Sequence, residues 1–149
     1  MIEIREASRE DLPAIVRMLA RDSLDTPPPR EEGPGEQQAK AFDAIAAHPD
    51  NHLIVATLDG EVVGTLQLTF IPGLSHNAAW RAQVEAVRVR HDLRNRQIGT
   101  RLMEWVILRA RERGCWVVQL TTNCVRRDAH RFYERLGFVP SHLGMKLKL

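Results

Sequence analysis

Cysteine and tyrosine are scarce in this chain of 149 residues, which holds only Cys115, Cys124 and Tyr133 of those types. Two thiols nine positions apart form neither the paired-cysteine pattern of a zinc site nor the framework of a disulfide-stapled secreted domain. No two histidines with a carboxylate have ligand spacing, so no metal is assigned. No apolar run approaches the ~20 residues of a bilayer span. The opening MIEIREASREDL lacks the apolar core of a secretory leader. A Gly-Lys-Ser/Thr phosphate loop and a three-glycine dinucleotide fingerprint are both missing, which argues against nucleoside triphosphate hydrolysis. Aromatic residues make up 5% of the chain and do not interleave with the arginines of 81–101, so a nucleic-acid partner is not expected. These absences leave an intracellular, cytoplasmic protein that engages no membrane.

What is present is an ordinary globular composition, 44% hydrophobic and 27% charged, long enough for one domain over residues 1–149 with a real core. Charge is uneven. Residues 1–60 hold 6 Lys/Arg against 12 Asp/Glu, and residues 61–149 hold 15 against 7. The second part therefore favours an anionic partner.

Alternation in IEIREA (2–7) predicts a strand, and Ser8 with Asp11 three residues on predicts a capping box for a helix carrying Leu12, Ile15, Val16 and Leu19. Prolines and glycines over 25–36 exclude regular structure, and a second helix fits 36–48 with Ala39, Phe42, Ala46 and Ile45 facing inward. Asp59-Gly60 between two apolar runs (52–71) predicts a hairpin, since both central turn positions want positive φ. A strand at 80–90 follows a loop at 72–79. Then come a helix from Ile98 to about Arg113 stopped by Gly114, a buried-type strand at 116–122, a helix over 128–136 stopped by Gly137, and short strands at GFVP and MKLKL. The element order predicts an α/β domain with a mixed sheet and helices on both faces.

The stretch HDLRNRQIGTRL (91–102) is where this order meets chemistry. A helix start leaves backbone N–H groups without partners and carries partial positive charge, so a phosphate placed there accepts several donors at once. Arg94 and Arg96 add formal charge, Gly99 permits close approach, and Thr100 offers a hydroxyl. The spacing agrees with a pyrophosphate seat fed by the preceding strand.

VEAVRVRHDLRNRQIGTRLMEWV followed by AHRFYERLGF resembles the GNAT superfamily of acetyl-coenzyme A-dependent N-acetyltransferases. Members carry an Arg/Gln-x-x-Gly-x-Gly/Ala loop after a Val-x-Val strand, then an Ala-x-x-Phe/Leu-Tyr-x-x-x-Gly-Phe segment. The resemblance covers essentially the whole chain. It implies a central, mostly antiparallel mixed sheet of about seven strands, acetyl-CoA as co-substrate, and a homodimer as a plausible assembly. It further implies cofactor contacts from Val87, Arg88, Val89, Arg94, Asn95, Arg96, Gln97, Ile98, Gly99, Thr100 and Arg126. Two positions depart from the pattern: Gln97 stands where the first glycine belongs, and Arg126 stands where many members have asparagine, with Asn123 nearby but out of register.

The implied reaction is direct attack of an amine on the thioester. Val87 and Val89 would offer backbone groups to the pantetheine arm as an added strand, and the same strand's amides would polarise the carbonyl. Glu85 is the candidate base: unbroken alternation puts it on the side of Val87 and Val89, on an apolar face that would raise its pKa, and a bulge would undo that placement. Tyr133 is the candidate acid for the departing thiolate. His130, one turn away, and the loop histidines His76 and His91 carry no assigned role. The acceptor is expected against 24–36, the 72–79 loop and the first two helices, where Asp22, Asp25, Glu31, Glu32 and Glu36 favour a cationic amine. A non-catalytic acetyl-CoA sensor of the same fold is the competing reading.

Overall fold

The computed structural model describes residues 1–21 and 34–149, in two compact units, Met1–Gln119 and Leu120–Leu149. The acidic positions Asp22, Asp25, Glu31 and Glu32 lie outside the described residues, as does most of the segment 24–36.

In the first unit, but for Leu120 at the end of the last strand, β1 (Ile2–Glu6), β2 (Asn51–Leu58), β3 (Glu61–Ile71), β4 (Trp80–Val89) and β5 (Cys115–Leu120) form one sheet in sequence order. The first three ladders are antiparallel. The chain passes from β4 to β5 through a long helix, the crossover that a parallel pair requires, so the sheet is mixed. Asp59 and Gly60 turn the β2–β3 hairpin at φ of 51° and 84°, the positive values that their dipeptide predicted. Ile54, Val55 and Ala56 are consecutive and all 0% exposed, so β2 is covered on both faces.

Helix α1 (Leu12–Arg21) follows a 3₁₀ turn over Arg9–Asp11 and buries Leu12, Ile15 and Met18. Its entry carries the predicted cap. The Asp11 carboxylate accepts from the Ser8 N–H (2.7 Å) and hydroxyl (3.1 Å), and from Arg5 Nη1 (2.7 Å) and Nη2 (3.0 Å). The Arg5 guanidinium, with help from Ser8, holds this carboxyl below the usual carboxylate range against the opposing effect of burial.

Helix α2 (Glu36–Ala47) is only half-buried through Ala39, Phe42 and Ile45; Ala46, expected inward, is exposed. The inward stripe runs at i, i+3 and i+6 and passes Ala46 by. A four-residue helical turn, α3 (Ser75–Ala78), occupies the loop after β3.

Helix α4 (Ile98–Glu112) buries Ile98, Leu102, Met103, Val106 and Ala110. It approaches β3 closely because position 64 has no side chain: a Cβ on Gly64 would lie 2.9 Å from Leu102 Cδ1 and 3.2 Å from Ile98 Cγ2. Gly114, at φ 78°, ends the helix. Just before it, the Arg113 guanidinium carbon sits 4.7 Å from the Phe70 ring centroid and 4.9 Å from that of Trp80, and the group pairs with Asp50. Strand β5 is half-buried rather than buried, with Trp116 45% exposed, because it ends the sheet and has a neighbour on one side only.

The second unit contains α5 (Arg127–Arg135), followed by Gly137 at φ 98°. The strands expected at GFVP and MKLKL are absent from 138–149, so among the described residues the sheet has five strands rather than about seven. Alternation alone does not make a strand; it needs a partner ladder and a surface to bury against. Met145 and Leu147 have neither, at 87% and 88% exposed.

Candidate functional site

The β3–β4 ladder is interrupted at a chemically important place. Thr65 pairs with Arg88 and Gln67 with Glu85, so two residues of β3 span three of β4. Ala86 and Val87 therefore share the place opposite Leu66, and Ala86 takes a left-handed φ of 53°. This is a β-bulge, which leaves an extra residue outside the ladder hydrogen bonds.

The bulge corrects the placement of Glu85. Residues opposite one another share a face, and Thr65 and Gln67 are two apart on β3, so Glu85 shares its face with Arg88. Val89, opposite Gly64, is on the other face, the one that α4 covers. Glu85 is thus not on the side of Val87 and Val89, and the apolar surroundings expected of it are not there: the residue is exposed.

Its face is instead polar. Asn51 Oδ1 accepts from Gln67 Nε2 (3.0 Å) and from the Thr69 hydroxyl (3.1 Å), and Gln119 Nε2 donates to Gln83 Oε1 (2.7 Å). The register aligns Gln83 with Thr69 and Glu85 with Gln67, which joins these side chains into a strip across β2, β3, β4 and β5. Sequence reasoning passed over Asn51, Gln67, Thr69, Gln83 and Gln119. A signal existed in Gln67-Leu68-Thr69 and Gln83-Val84-Glu85, where polar residues recur with period two inside strands whose other face is apolar.

β4 leads through a 3₁₀ turn over His91–Leu93 into the basic loop. Arg90 is occupied: it donates to Asp92 (2.8 Å) and Glu61 (2.9 Å), and it draws the Asp92 carboxyl below its ordinary value. Leu93 is buried and anchors the turn, while Arg94, Asn95, Arg96 and Gln97 are exposed. Asn95 and Gln97 both take left-handed φ values of 65°. Gln97 is the N-cap of α4, and no side chain caps the helix. The first intrahelical bond runs from Arg101 N–H to the Gln97 carbonyl (3.0 Å), so the amides of Ile98, Gly99 and Thr100 precede it. A half-buried Gly99 and Thr100 with exposed arginines alongside meet the chemical needs of a pyrophosphate. Gln97 has taken up the backbone conformation that a glycine would adopt, and its side chain points out to solvent.

The loop after β3 holds His76, Asn77 and Ala78 in successive left-handed conformations (φ 52°, 57° and 59°), with the His76 ring stacked 3.5 Å from that of Trp116. In the second unit, Arg126 is the N-cap of α5, and its carbonyl accepts from His130 N–H (3.2 Å). The Asn123 side chain turns inward on its own loop, accepting from Val125 N–H (3.0 Å), and its carbonyl accepts from the His130 ring (2.8 Å). Tyr133 meets Phe132 and Phe138 edge-on at 5.0 and 5.7 Å. Among the described residues no cluster of His, Cys, Asp or Glu could hold a metal ion, and no helix is long and apolar enough to cross a membrane.

Comparison with known proteins shows the family of the chain and the likeness of its fold. A model of the acetyltransferase (GNAT) family matches residues 15–138. The chain is 34% identical over 143 residues to an aminoalkylphosphonate N-acetyltransferase of Salmonella typhimurium, covering 94% of this chain and 86% of that protein. Its structure is similar to one described as a transcriptional regulator from Bacillus halodurans C-125, with a TM-score of 0.94 and 44% identity over 100% of both chains. It is also similar to a putative acetyltransferase from Agrobacterium tumefaciens, with a TM-score of 0.87 and 28% identity over 99% of both.

Proposed function

The chain belongs to the acetyltransferase (GNAT) family and is an N-acetyltransferase of it, and from that premise we propose that it moves the acetyl group of acetyl-CoA directly to a primary amine, both substrates being bound at once. The observation that carries the reading is the continuity of two features on one stretch of chain. A bulge at Ala86–Val87 takes a residue of β4 out of the ladder, with the Val87 carbonyl accepting from Arg88 Nη1 (2.9 Å), and twelve residues beyond Ala86 the uncapped start of α4 offers three amides beside Arg94 and Arg96.

Acetyl-CoA, when bound, supplies an activated acyl group on a thioester. The amides of Ile98, Gly99 and Thr100 donate to the pyrophosphate, and Arg94 and Arg96 neutralise it. Val87, Arg88 and Val89 offer their backbone to the pantetheine arm as a strand would. The amides freed by the bulge donate to the carbonyl oxygen as negative charge develops there. Tyr133 enters on the family pattern alone, as the acid for the thiolate, and Arg126 enters only by its position in that pattern, from which its side chain departs, as a cofactor contact.

Glu85 handles the other proton. An alkylammonium of pKa ~10.4 loses its proton at pH 7.4 at a cost of about 4 kcal/mol. An exposed carboxylate in the polar strip accepts that proton directly or through a water. The acceptor belongs to the class of small amines, the kind of substrate named for the Salmonella relative.

Calorimetric titration with acetyl-CoA, with dephosphorylated pantetheine as control, tests the reading. Micromolar binding that the control lacks is expected, followed by turnover of at least one amine in a screen. Binding without any turnover would favour the sensor reading. No binding would overturn the phosphate seat.

A further inference from the structure

The two edges of the sheet differ in how they meet solvent. β1 (IEIRE) carries Glu3, Arg5 and Glu6, three charges in five residues, which deters a further strand. β5 (CWVVQL), which ends the sheet among the described residues, carries none. Its side chains alternate, so Trp116, Val118 and Leu120 share one face. Trp116 is 45% exposed and the other two are half-buried. An edge this apolar, without a charge to guard it, is a place for strand addition.

The same chain carries a segment of matching character. From Leu143 to Leu149, every second residue is apolar, and Lys146 and Lys148 alternate with them. Leu143, Met145, Leu147 and Leu149 are 84%, 87%, 88% and 117% exposed, so nothing among the described residues of their own chain buries them. In an extended segment all four line one face, with both lysines on the other. A contiguous apolar stripe of this kind marks a surface that something covers.

We infer that residues 143–149 of one copy pair with β5 of a second copy, and that the exchange is reciprocal. The ladder that this segment lacks in its own chain is supplied by another. Backbone groups along the outer edge of β5 bond to those of the segment, and its apolar stripe lies against the face of Trp116, Val118 and Leu120. Each copy gives one segment and receives one. A two-fold dimer therefore uses up both features and leaves no edge to recruit further chains. A buried side chain of this size hides about 100 Å² and covers as much again, so four from each copy carry the contact past the ~1,200 Å² where specific interfaces begin. A second copy is the occupant because one chain holds both halves of the fit. The exchange goes beyond the acetyl-transfer reading and does not depend on it.

Two measurements on the full chain test this. Light scattering during size-exclusion chromatography, at tens of micromolar, should find twice the chain mass. Leu147→Asp, at a residue exposed within its own chain, should raise the dimer dissociation constant tenfold or more with an unchanged circular dichroism spectrum. For the second measurement, Val118→Cys and Leu147→Cys are co-expressed as separate chains, each also carrying Cys124→Ser, and treated with a short bismaleimide. Each chain holds one introduced thiol, so a mapped link from 118 to 147 joins two copies by construction. That link is expected. A wild type that stays monomeric overturns the inference, as does a dimer whose dissociation constant a folded Leu147→Asp leaves unchanged. A dimer without the 118–147 link also overturns it, because the copies then meet elsewhere. Should Val118→Cys not fold, Trp116→Cys on the same face takes its place.

Discussion

Gln97 occupies a left-handed position, φ 65°, that costs a side-chain-bearing residue about 1 kcal/mol and a glycine much less. Gln97→Gly is therefore expected to raise stability by up to about 1 kcal/mol, read as a higher urea midpoint at unchanged slope. Its acetyl-CoA affinity should be retained, because the side chain it removes is exposed and the backbone amides are kept. Asp11 gives a second test with a definite sign. Its folded pKa is depressed by Arg5 and Ser8, so its contribution is complete above the unfolded value of ~3.9 and is lost as pH falls through the lower folded value. Asp11→Asn should destabilise by about 1–2 kcal/mol at pH 7, and the wild-type and variant denaturation curves should converge in acid.

The contact of α4 with β3 depends on Gly64. Gly64→Ala would bring a methyl to 2.9 Å from Leu102 and 3.3 Å from the Arg88 carbonyl, the latter on the edge of the bulge. A loss of about 1–3 kcal/mol is expected by thermal or chemical unfolding. At the other end of the argument, Gly99→Glu places bulk and negative charge at the first turn of α4, and calorimetry should find acetyl-CoA binding abolished. Much of this architecture could be read from the chain beforehand. The Asp59-Gly60 hairpin, the Ser8–Asp11 cap, the stop at Gly114 and the loop feeding α4 are all local chemistry, so the sequence displays them. The bulge is different: polar residues recur at 81, 83 and 85 and then at 88 and 90, a change of phase across Ala86-Val87 that was passed over, and the β3 residues opposite show it to be an extra residue. The polar strip escaped for a related reason, since its five members come from four strands and meet only when the sheet is assembled. MKLKL misled because its alternation describes a surface and says nothing of the ladder that a strand needs.

Taken as one thermodynamic system, the chain should register its cofactor as stability. A ligand that binds only the folded state stabilises by about 2.7 kcal/mol at a hundredfold excess over its dissociation constant. Acetyl-CoA and free CoA should both raise the unfolding temperature, since both carry the pyrophosphate, while dephosphorylated pantetheine should leave it near that of the unliganded protein. The same scan on Gly99→Glu should show no response to any of the three. A rise with pantetheine equal to that with CoA would move the main binding energy away from the helix start and toward β4.

Arg113, clasped by Phe70 and Trp80 and paired with Asp50, closes the far end of α4. The helix is about 22 Å long, and the clasp fixes its tail while Gly64 brings its front turns against the sheet. A rod held in two places cannot swivel. The three amides at its start are therefore aimed before any ligand arrives, so association spends little on arranging them and discrimination between ligands becomes a matter of fit rather than adjustment. Loosening the clasp would turn a fixed gauge into a soft one, and the protein would come to tolerate shapes it now refuses.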